Sequence, residues 1–293
     1  MSASPKLLPR CFGVFGDPIA HSRSPVMHQA AFAVLGLPHR YLPFHVPAPA
    51  LAAAMRGVAA LGFGGVNLTL PHKQAALALC DARSPAAARI GAVNTLRVVD
   101  GRLCGHNTDG RGFLDALAEL GDLGELDALG ERASATVLGA GGASLAIVDA
   151  LLTRFPRLRL RWVSRRPERI PAQLPGLADI PDAATRVQPC AWSELRELSG
   201  QLLVNTTIVG LAGGPEDFPA PLELGGLDPR ARVVDIVYPR RPEGLLDRAA
   251  AHGLRVQDGL PMLLWQGVAA LELWLGERPS QAAIAAMRTA LYS

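Results

Sequence analysis

The chain has 293 residues, of which 49% are hydrophobic and 19% charged, and its net charge is only +3. That length suggests two domains of ordinary size, each with enough apolar material for its own core. The low charge, with no long Lys/Arg run and no basic stripe among aromatics, excludes a disordered chain and argues against a nucleic-acid partner.

The first residues lack an apolar core like that of a secretory signal. Residues 260–275 are apolar but are interrupted by Gln266 and Glu272, too short and too polar for a bilayer. Cys11, Cys80, Cys104 and Cys190 are widely spaced, without a C-x-x-C or zinc pattern. The expectation is a cytoplasmic protein with free thiols, no metal and no membrane partner.

In chain order, residues 11–16 (CFGVFG) read as a strand. Residues 25–35 read as a helix opened by Ser24, with Pro25 in its first turn. A strand at 41–46, a helix at 51–60, a strand at 65–70 and a helical stretch at 74–80 follow. Residues 92–99 and 102–105 bracket Asp100-Gly101, a hairpin signature. Residues 121–132 read as a loop. A second series starts with a strand at 135–138, a helix at 143–152 and a strand at 158–163. Residues 171–189 read as loop, 202–205 and 232–237 as strands, and 261–275 and 281–291 as helices. Alternation of this kind predicts α/β architecture in two domains. The first, residues 1–109 with 258–293, holds a mostly parallel sheet with an antiparallel hairpin; the second, residues 110–257, is Rossmann-like.

Gly139-Ala140-Gly141-Gly142-Ala143-Ser144 follows a strand and opens a helix. Glycines there let the backbone approach a pyrophosphate, and the helix N-terminus favours its negative charge. The next strand ends in Ser164-Arg165-Arg166, with no acidic residue to hold ribose hydroxyls. Guanidinium groups suit a 2′-phosphate, so NADP is favoured over NAD. The plain alternatives are a flexible turn and a solvated basic loop.

Three further segments carry polar chemistry. Ser22 and Ser24 lie two residues apart at a helix start, where both hydroxyls can donate to one carboxylate. Lys73 ends Asn67-Leu68-Thr69-Leu70-Pro71-His72-Lys73, where a strand leads into a helix, and an amine there can exchange a proton with an alcohol. Asn94 offers donor and acceptor together, suited to a vicinal diol, and Asp109 can orient the lysine. The structural alternatives are helix caps at Ser24 and Asp109 and a surface lysine at residue 73. All of these groups are expected at strand ends, where open α/β sheets collect ligands.

Together with Gly91-Ala92-Val93-Asn94-Thr95, Asn107-Thr108-Asp109-Gly110, Asp235-Ile236-Val237-Tyr238-Pro239 and residues 258–266 (DGLPMLLWQ), these motifs resemble the shikimate dehydrogenase family, in the family's order and over nearly the whole chain. The resemblance implies reversible hydride transfer between NADPH and 3-dehydroshikimate. It implies Lys73 and Asp109 as the catalytic pair. It places Ser22, Ser24 and Tyr238 on the substrate carboxylate, and Thr69, Asn94, Asp109 and Gln266 around the ring hydroxyls. It assigns Gly139, Ala140, Gly141, Gly142, Ala143, Ser164, Arg165, Arg169, Thr206, Gly259 and Met262 to NADP. A monomer or homodimer is expected. The chain departs from the family pattern at His72 and Gln74 around the lysine, at Thr206-Thr207-Ile208, and at Arg240-Arg241-Pro242. Quinate, with NAD as cofactor, is the alternative substrate pair. A silent NADP or metabolite sensor is the alternative of another class, disfavoured because a sensor needs no proton donor. A folate-type two-domain enzyme suits the serine pair less well.

Overall fold

The computed structural model describes residues 8–173, 179–195, 197–211 and 213–293. The chain divides into two units, Met1–Thr108 with Leu264–Ser293, and Asp109–Leu263.

In the first unit, β1 (Cys11–Gly16) leads to α1 (Ser24–Val34) and β2 (Arg40–His45). Then come α2 (Leu51–Ala60), β3 (Gly65–Leu68), β4 (Ala82–Arg83), α3 (Pro85–Ile90), β5 (Thr95–Val99) and β6 (Arg102–His106). The sheet order is β2-β1-β3-β5-β6-β4. β1 runs parallel to β2 and β3, and β4 parallel to β6, while β5 is antiparallel to both its neighbours. The sheet is therefore mostly parallel, as expected. The β5–β6 turn has Asp100 at φ 51 and Gly101 at φ 74, the two positive values that a tight hairpin requires. One core gathers Phe15, Met55, Val66, Leu68 and Leu96.

In the second unit, α4 (Asp109–Leu117) and α5 (Gly124–Leu129) precede β7 (Ser134–Leu138), α6 (Gly142–Arg154) and β8 (Arg159–Ser164). Next come α7 (Ile170–Gln173), α8 (Ala183–Arg186), β9 (Val187–Ala191), β10 (Gly200–Asn205), β11 (Leu227–Asp235), α9 (Leu245–Ala251) and β12 (Arg255–Gln257). The final helices are α10 (Gly259–Leu275), which runs on into the first unit's residues, and α11 (Gln281–Tyr292). Every pairing in the second sheet is parallel, in the order β12-β11-β10-β7-β8-β9. This is a doubly wound, Rossmann-like sheet, and its strands are buried runs such as β7, whose last four residues are all buried. α6 is buried on nearly all sides because it lies over the sheet and meets α4, where Gly110 comes so close that a Cβ would sit 2.7 Å from the Ala146 carbonyl.

Three segments differ from the sequence reading. Residues 121–132 contain α5, because Arg232, itself 1% exposed, donates to Glu125 Oε2 at 2.9 Å and to the Asp122 carbonyl at 2.9 Å. A distant ion pair thus orders a Gly- and Asp-rich stretch that local propensity leaves open. Residues 171–189 include α8 and the edge strand β9; residues 174–178 of this stretch lie outside the described residues. Arg186 donates to the carbonyls of Leu152 and Phe155 at the end of α6, which anchors α8. Pro189 is tolerated because β9 pairs on one side only. The helical stretch expected at 74–80 is a 3₁₀ helix, Ala75–Leu79.

Candidate active site

The first sheet's strand order changes direction at β1, with β2 on one side and β3 on the other, and the polar motifs sit at this end. Thr69 N donates to the Phe15 carbonyl at 2.9 Å, and Asp17 N to the Leu70 carbonyl at 3.0 Å. The loop after β1, which carries Ser22, is thereby laid beside the loop after β3, which carries Thr69 and Lys73. Asn94 precedes β5 rather than lying within a strand; because β5 is antiparallel, its start lies beside the end of β3. Leu68 N donates to the Asn94 carbonyl at 2.8 Å, Asn94 N to the His106 carbonyl at 3.0 Å, and Val93 N to the Lys73 carbonyl at 2.8 Å. Ser22, Thr69, Lys73 and Asn94 are therefore brought to one edge of the sheet by backbone register.

Buried side chains fix this edge. Ser24 is the first residue of α1 and does not cap it: the N-cap position is Arg23, which makes no side-chain cap bond, and Ser22 Oγ instead accepts from Ser24 N at 3.3 Å. Ser24 is buried close to the Tyr41 phenol, whose OH donates to Asn67 Oδ1 at 2.8 Å. Asn67 Nδ2 donates to Thr95 Oγ1 at 3.0 Å, and Thr95 Oγ1 to Asn94 Oδ1 at 2.9 Å. Thr108 N also donates to Asn94 Oδ1, at 2.8 Å. Tyr41 stacks on His28 with centroids 4.2 Å apart, and His28 Nδ1 donates to the Ser24 carbonyl at 3.0 Å. Burial pushes His28 down to about 4, so its ring is neutral, and burial raises the Tyr41 phenol. His72, 1% exposed, donates from Nε2 to the Val46 carbonyl at 2.7 Å and so pins the backbone next to Lys73. Lys73 itself is half-buried and enters a turn, not the first turn of an α-helix. Gln266 lies on α10, 7% exposed, in the same unit.

The second unit holds Asp109, Tyr238, Gly259, Met262 and the glycine turn. Asp109 is the first residue of α4 and 6% exposed; Thr108, which precedes it, is tied to Asn94 within the first unit. Gly139 to Gly142 join β7 to α6 at the switch point of the sheet, where β10 and β8 flank β7. Gly139 has φ +100, and a Cβ there would meet Thr206 Oγ1 at 2.8 Å. Thr206 Oγ1 donates to the Leu138 carbonyl at 2.7 Å. Ser144, in place of a third glycine, is fully buried and donates to the Gly139 carbonyl at 2.7 Å, as does Trp162 Nε1 at 2.6 Å. Gly141 and Gly142 face open space, so the N-terminus of α6 is uncovered and fits a pyrophosphate. Ser164 ends β8 and its hydroxyl accepts from Arg166 N at 3.1 Å, while Arg165 and Arg169 stand exposed beyond it. Ala140 and Ala143 complete the turn, half-buried.

Sequence reasoning missed Tyr41, Asn67, His28 and the pair Asn205 and Asp235. For Asn67 and Asn205 the signal was a polar residue inside an apolar strand, as in Gly65-Val66-Asn67-Leu68, whereas the bonds that join Asn67 to Tyr41 and Asn205 to Asp235 span 26 and 30 positions. Among the described residues no group of three or more His, Cys, Asp and Glu is placed to hold a metal, and no helix is long and apolar enough to cross a membrane.

A doubly wound unit with a glycine cradle, together with a unit presenting a serine pair, a lysine and an asparagine on one sheet edge, defines a dinucleotide-dependent dehydrogenase of two α/β domains. Comparison with known proteins narrows the class. Residues 14–96 match the shikimate dehydrogenase substrate binding domain, and 259–292 the shikimate 5′-dehydrogenase C-terminal domain. Shikimate dehydrogenase (NADP(+)) of Methylobacterium radiotolerans is 45% identical over 276 residues, 92% of this chain and 93% of that protein. Shikimate 5-dehydrogenase from Thermus thermophilus, solved with NADP(H) and shikimate, is 42% identical with a TM-score of 0.78, covering 97% of this chain and 98% of that one. The ligand-free 5-ketofructose reductase of Gluconobacter sp. strain CHM43 is 32% identical with a TM-score of 0.80, covering 98% and 99%. The chain belongs to the shikimate dehydrogenase family.

Proposed function

We propose that this protein reversibly reduces 3-dehydroshikimate to shikimate with NADPH. The observation that carries the reading is the register of the first sheet, which sets Ser22, Thr69, Lys73 and Asn94 along one edge. Ser22 and Ser24, with Tyr238, bind the substrate carboxylate. Thr69, Asn94 and Gln266 bind ring hydroxyls. NADPH, when bound, supplies the hydride. Lys73 donates the proton to the oxygen that becomes the alcohol and stabilises the negative charge developing there, with Asp109 as its partner. In the oxidative direction the same amine takes that proton back.

On the cofactor side, Gly139, Ala140, Gly141, Gly142 and Ala143 cradle the pyrophosphate at the start of α6. Ser164, Arg165 and Arg169 hold the 2′-phosphate, bidentately where a guanidinium meets it. Thr206, Gly259 and Met262 border the nicotinamide. The substrate domain comprises residues 1–109 with 258–293, and the cofactor domain residues 110–257. The four free cysteines suit a reducing, cytoplasmic setting.

The test is a matrix of initial rates: shikimate and quinate, each with NADP and with NAD. The reductive direction with 5-ketofructose serves as a control suggested by the Gluconobacter relative. The highest kcat/KM is expected for shikimate with NADP. A higher value for quinate with NAD, or no turnover with any pair, overturns the proposal.

A further inference from the structure

Asp235 belongs to the motif that carries Tyr238 but has no part in the proposed chemistry itself, yet it ties together two loops at the ligand end of the second sheet. It ends β11 in register with Asn205, the last residue of β10, which in turn pairs with Leu138 at the end of β7. One carboxylate oxygen, Oδ1, accepts from Asn205 Nδ2 at 2.9 Å and from Val237 N at 3.0 Å. Asn205, fully buried, passes the constraint on: its Oδ1 accepts from Thr207 N at 3.0 Å and from Thr207 Oγ1 at 2.7 Å. Thr207 Oγ1 accepts from Val209 N at 3.1 Å. Thr206, between Asn205 and Thr207, backs the glycine turn through its bond to the Leu138 carbonyl. Val237 precedes Tyr238, and its carbonyl accepts from Gly259 N at 3.4 Å.

We propose that Asp235 is a positioning residue for the cofactor: its ionised carboxylate, acting through Asn205 and the Val237 N–H, fixes the Thr206 segment and the Tyr238 segment together. The inference rests on the proposed docking of NADP at the Gly139 turn. The chain of bonds is continuous from Asp235 through Asn205 to Thr207, whose Cγ2 a Cβ on Gly139 would meet at 3.0 Å, so loss of the charge is felt at the turn. Two bonds to an anionic oxygen are stronger than two to a neutral amide oxygen. The groups facing Asp235 are Asp258, and, around the cavity of about 30 Å³ that it lines, Glu216, Arg240 and Arg241. Arg241 is paired with Glu216, and Arg240 with Asp247, so neither arginine is given over to Asp235. Burial, above all, pushes the Asp235 carboxyl up to about 6, with Asp258 adding to the rise. Mild acid therefore removes the charge in the native enzyme.

The experiment compares NADP affinity, read directly by calorimetric titration, in the wild type and in Asp235→Asn from pH 8 to pH 5. The ratio of their dissociation constants cancels the titration of the nucleotide's own phosphate. At pH 8 the variant is expected to bind NADP about five- to tenfold more weakly. The ratio should fall towards one as pH drops through 6, because the wild type then also carries a neutral group. A second variant, Thr207→Val, breaks the far end of the relay and should weaken NADP binding in the same sense. A ratio near one at every pH, or a loss that does not change with pH, overturns the proposal. Because the readout is cofactor affinity, a wild type that binds NADP but does not oxidise shikimate would sink the substrate reading and leave this inference standing.

Discussion

The ligand ends of the two sheets are built in different materials. At the first sheet the edge is made of side chains: Tyr41, Asn67, Thr95, Asn94 and Thr108 form a buried chain of hydrogen bonds behind the half-buried Ser22, Thr69 and Lys73. At the second the turn is made of backbone, with glycine at 139, 141 and 142 and the side chains of Ser144, Trp162 and Thr206 bracing it from behind. A pyrophosphate needs N–H groups and close approach, which any glycine turn supplies. A particular ring with a carboxylate and several hydroxyls needs donors and acceptors in fixed places, and fixed side chains in a low-dielectric setting need every partner satisfied. The difference predicts that the first edge fails through lost chemistry and the second through lost space.

Lys73 offers the largest break. Lys73→Ala should lower kcat by about 10²–10⁴-fold, the range for removal of an acid–base group. KM for shikimate should change much less, and NADP affinity should not change. Steady-state rates in both directions check this; unchanged kcat rejects the role.

The buried histidine of the first unit sharpens the comparison by pH. His28 has an ordinary value of 6.5 and is pushed down to about 4 in the folded protein. As pH falls from 6.5 towards 4, the unfolded chain takes up a proton that the folded chain refuses, so stability is lost in that window. The loss attributable to this residue is on the order of 3 kcal/mol across the window. His28→Phe keeps a ring against Tyr41 and should flatten the fall by that share, although it forgoes the bond to Ser24. Urea midpoints at pH 7 and pH 4.5 give the measurement; parallel pH profiles in the two proteins would refute the assignment.

What could be read in the sequence follows the same division. The glycine turn, the Asp100-Gly101 hairpin and the β–α alternation are local signals, and the structure forms all three. α3 also had local signals that went unused: Ser84 Oγ accepts from Ala87 N at 3.2 Å, Pro85 opens the helix, and Gly91 closes it at φ 69. α5 had one local signal, Asp122, whose Oδ1 accepts from Gly124 N at 2.8 Å, but it and α8 are each also held by an arginine bond to a distant segment that spacing does not show. Asn67 was visible as a motif residue, but its partner Tyr41 lies 26 positions away, and only the parallel register of β2, β1 and β3 joins them. Lys73 was legible as a candidate, whereas the turn that holds it depends on His72 reaching the Val46 carbonyl, again 26 positions away.

Space, by contrast, should govern the second edge. Gly139→Ala places a Cβ 2.8 Å from Thr206 Oγ1 at a residue whose φ of +100 an L side chain rarely adopts. Strain of that kind costs about 1–3 kcal/mol. Relief moves the turn away from Thr206, so NADP binding should weaken by roughly tenfold or more, the equivalent of that strain. KM for shikimate at saturating NADP should stay within about twofold. A variant whose defect lies in the substrate constant instead would show that the two edges are not separable in this way.

Ser22→Ala is expected to have the smallest effect, and it probes the first edge where that edge is least constrained. The Ser22 hydroxyl is half-buried and accepts from Ser24 N at 3.3 Å, a long bond that spares the rest of its capacity. In the proposed binding mode, removing the hydroxyl takes away one hydrogen bond to a carboxylate that is bound alike before and during the reaction. Such a loss raises KM, by about tenfold for a charge-assisted bond, and leaves kcat nearly unchanged. Ser24 differs because it is only 6% exposed and lies close to the Tyr41 phenol, so Ser24→Ala should add a loss of thermal stability that Ser22→Ala lacks. If both serines change KM equally and neither lowers Tm, the buried chain behind the edge does not depend on Ser24, and the contrast between a side-chain edge and a backbone edge loses its main support.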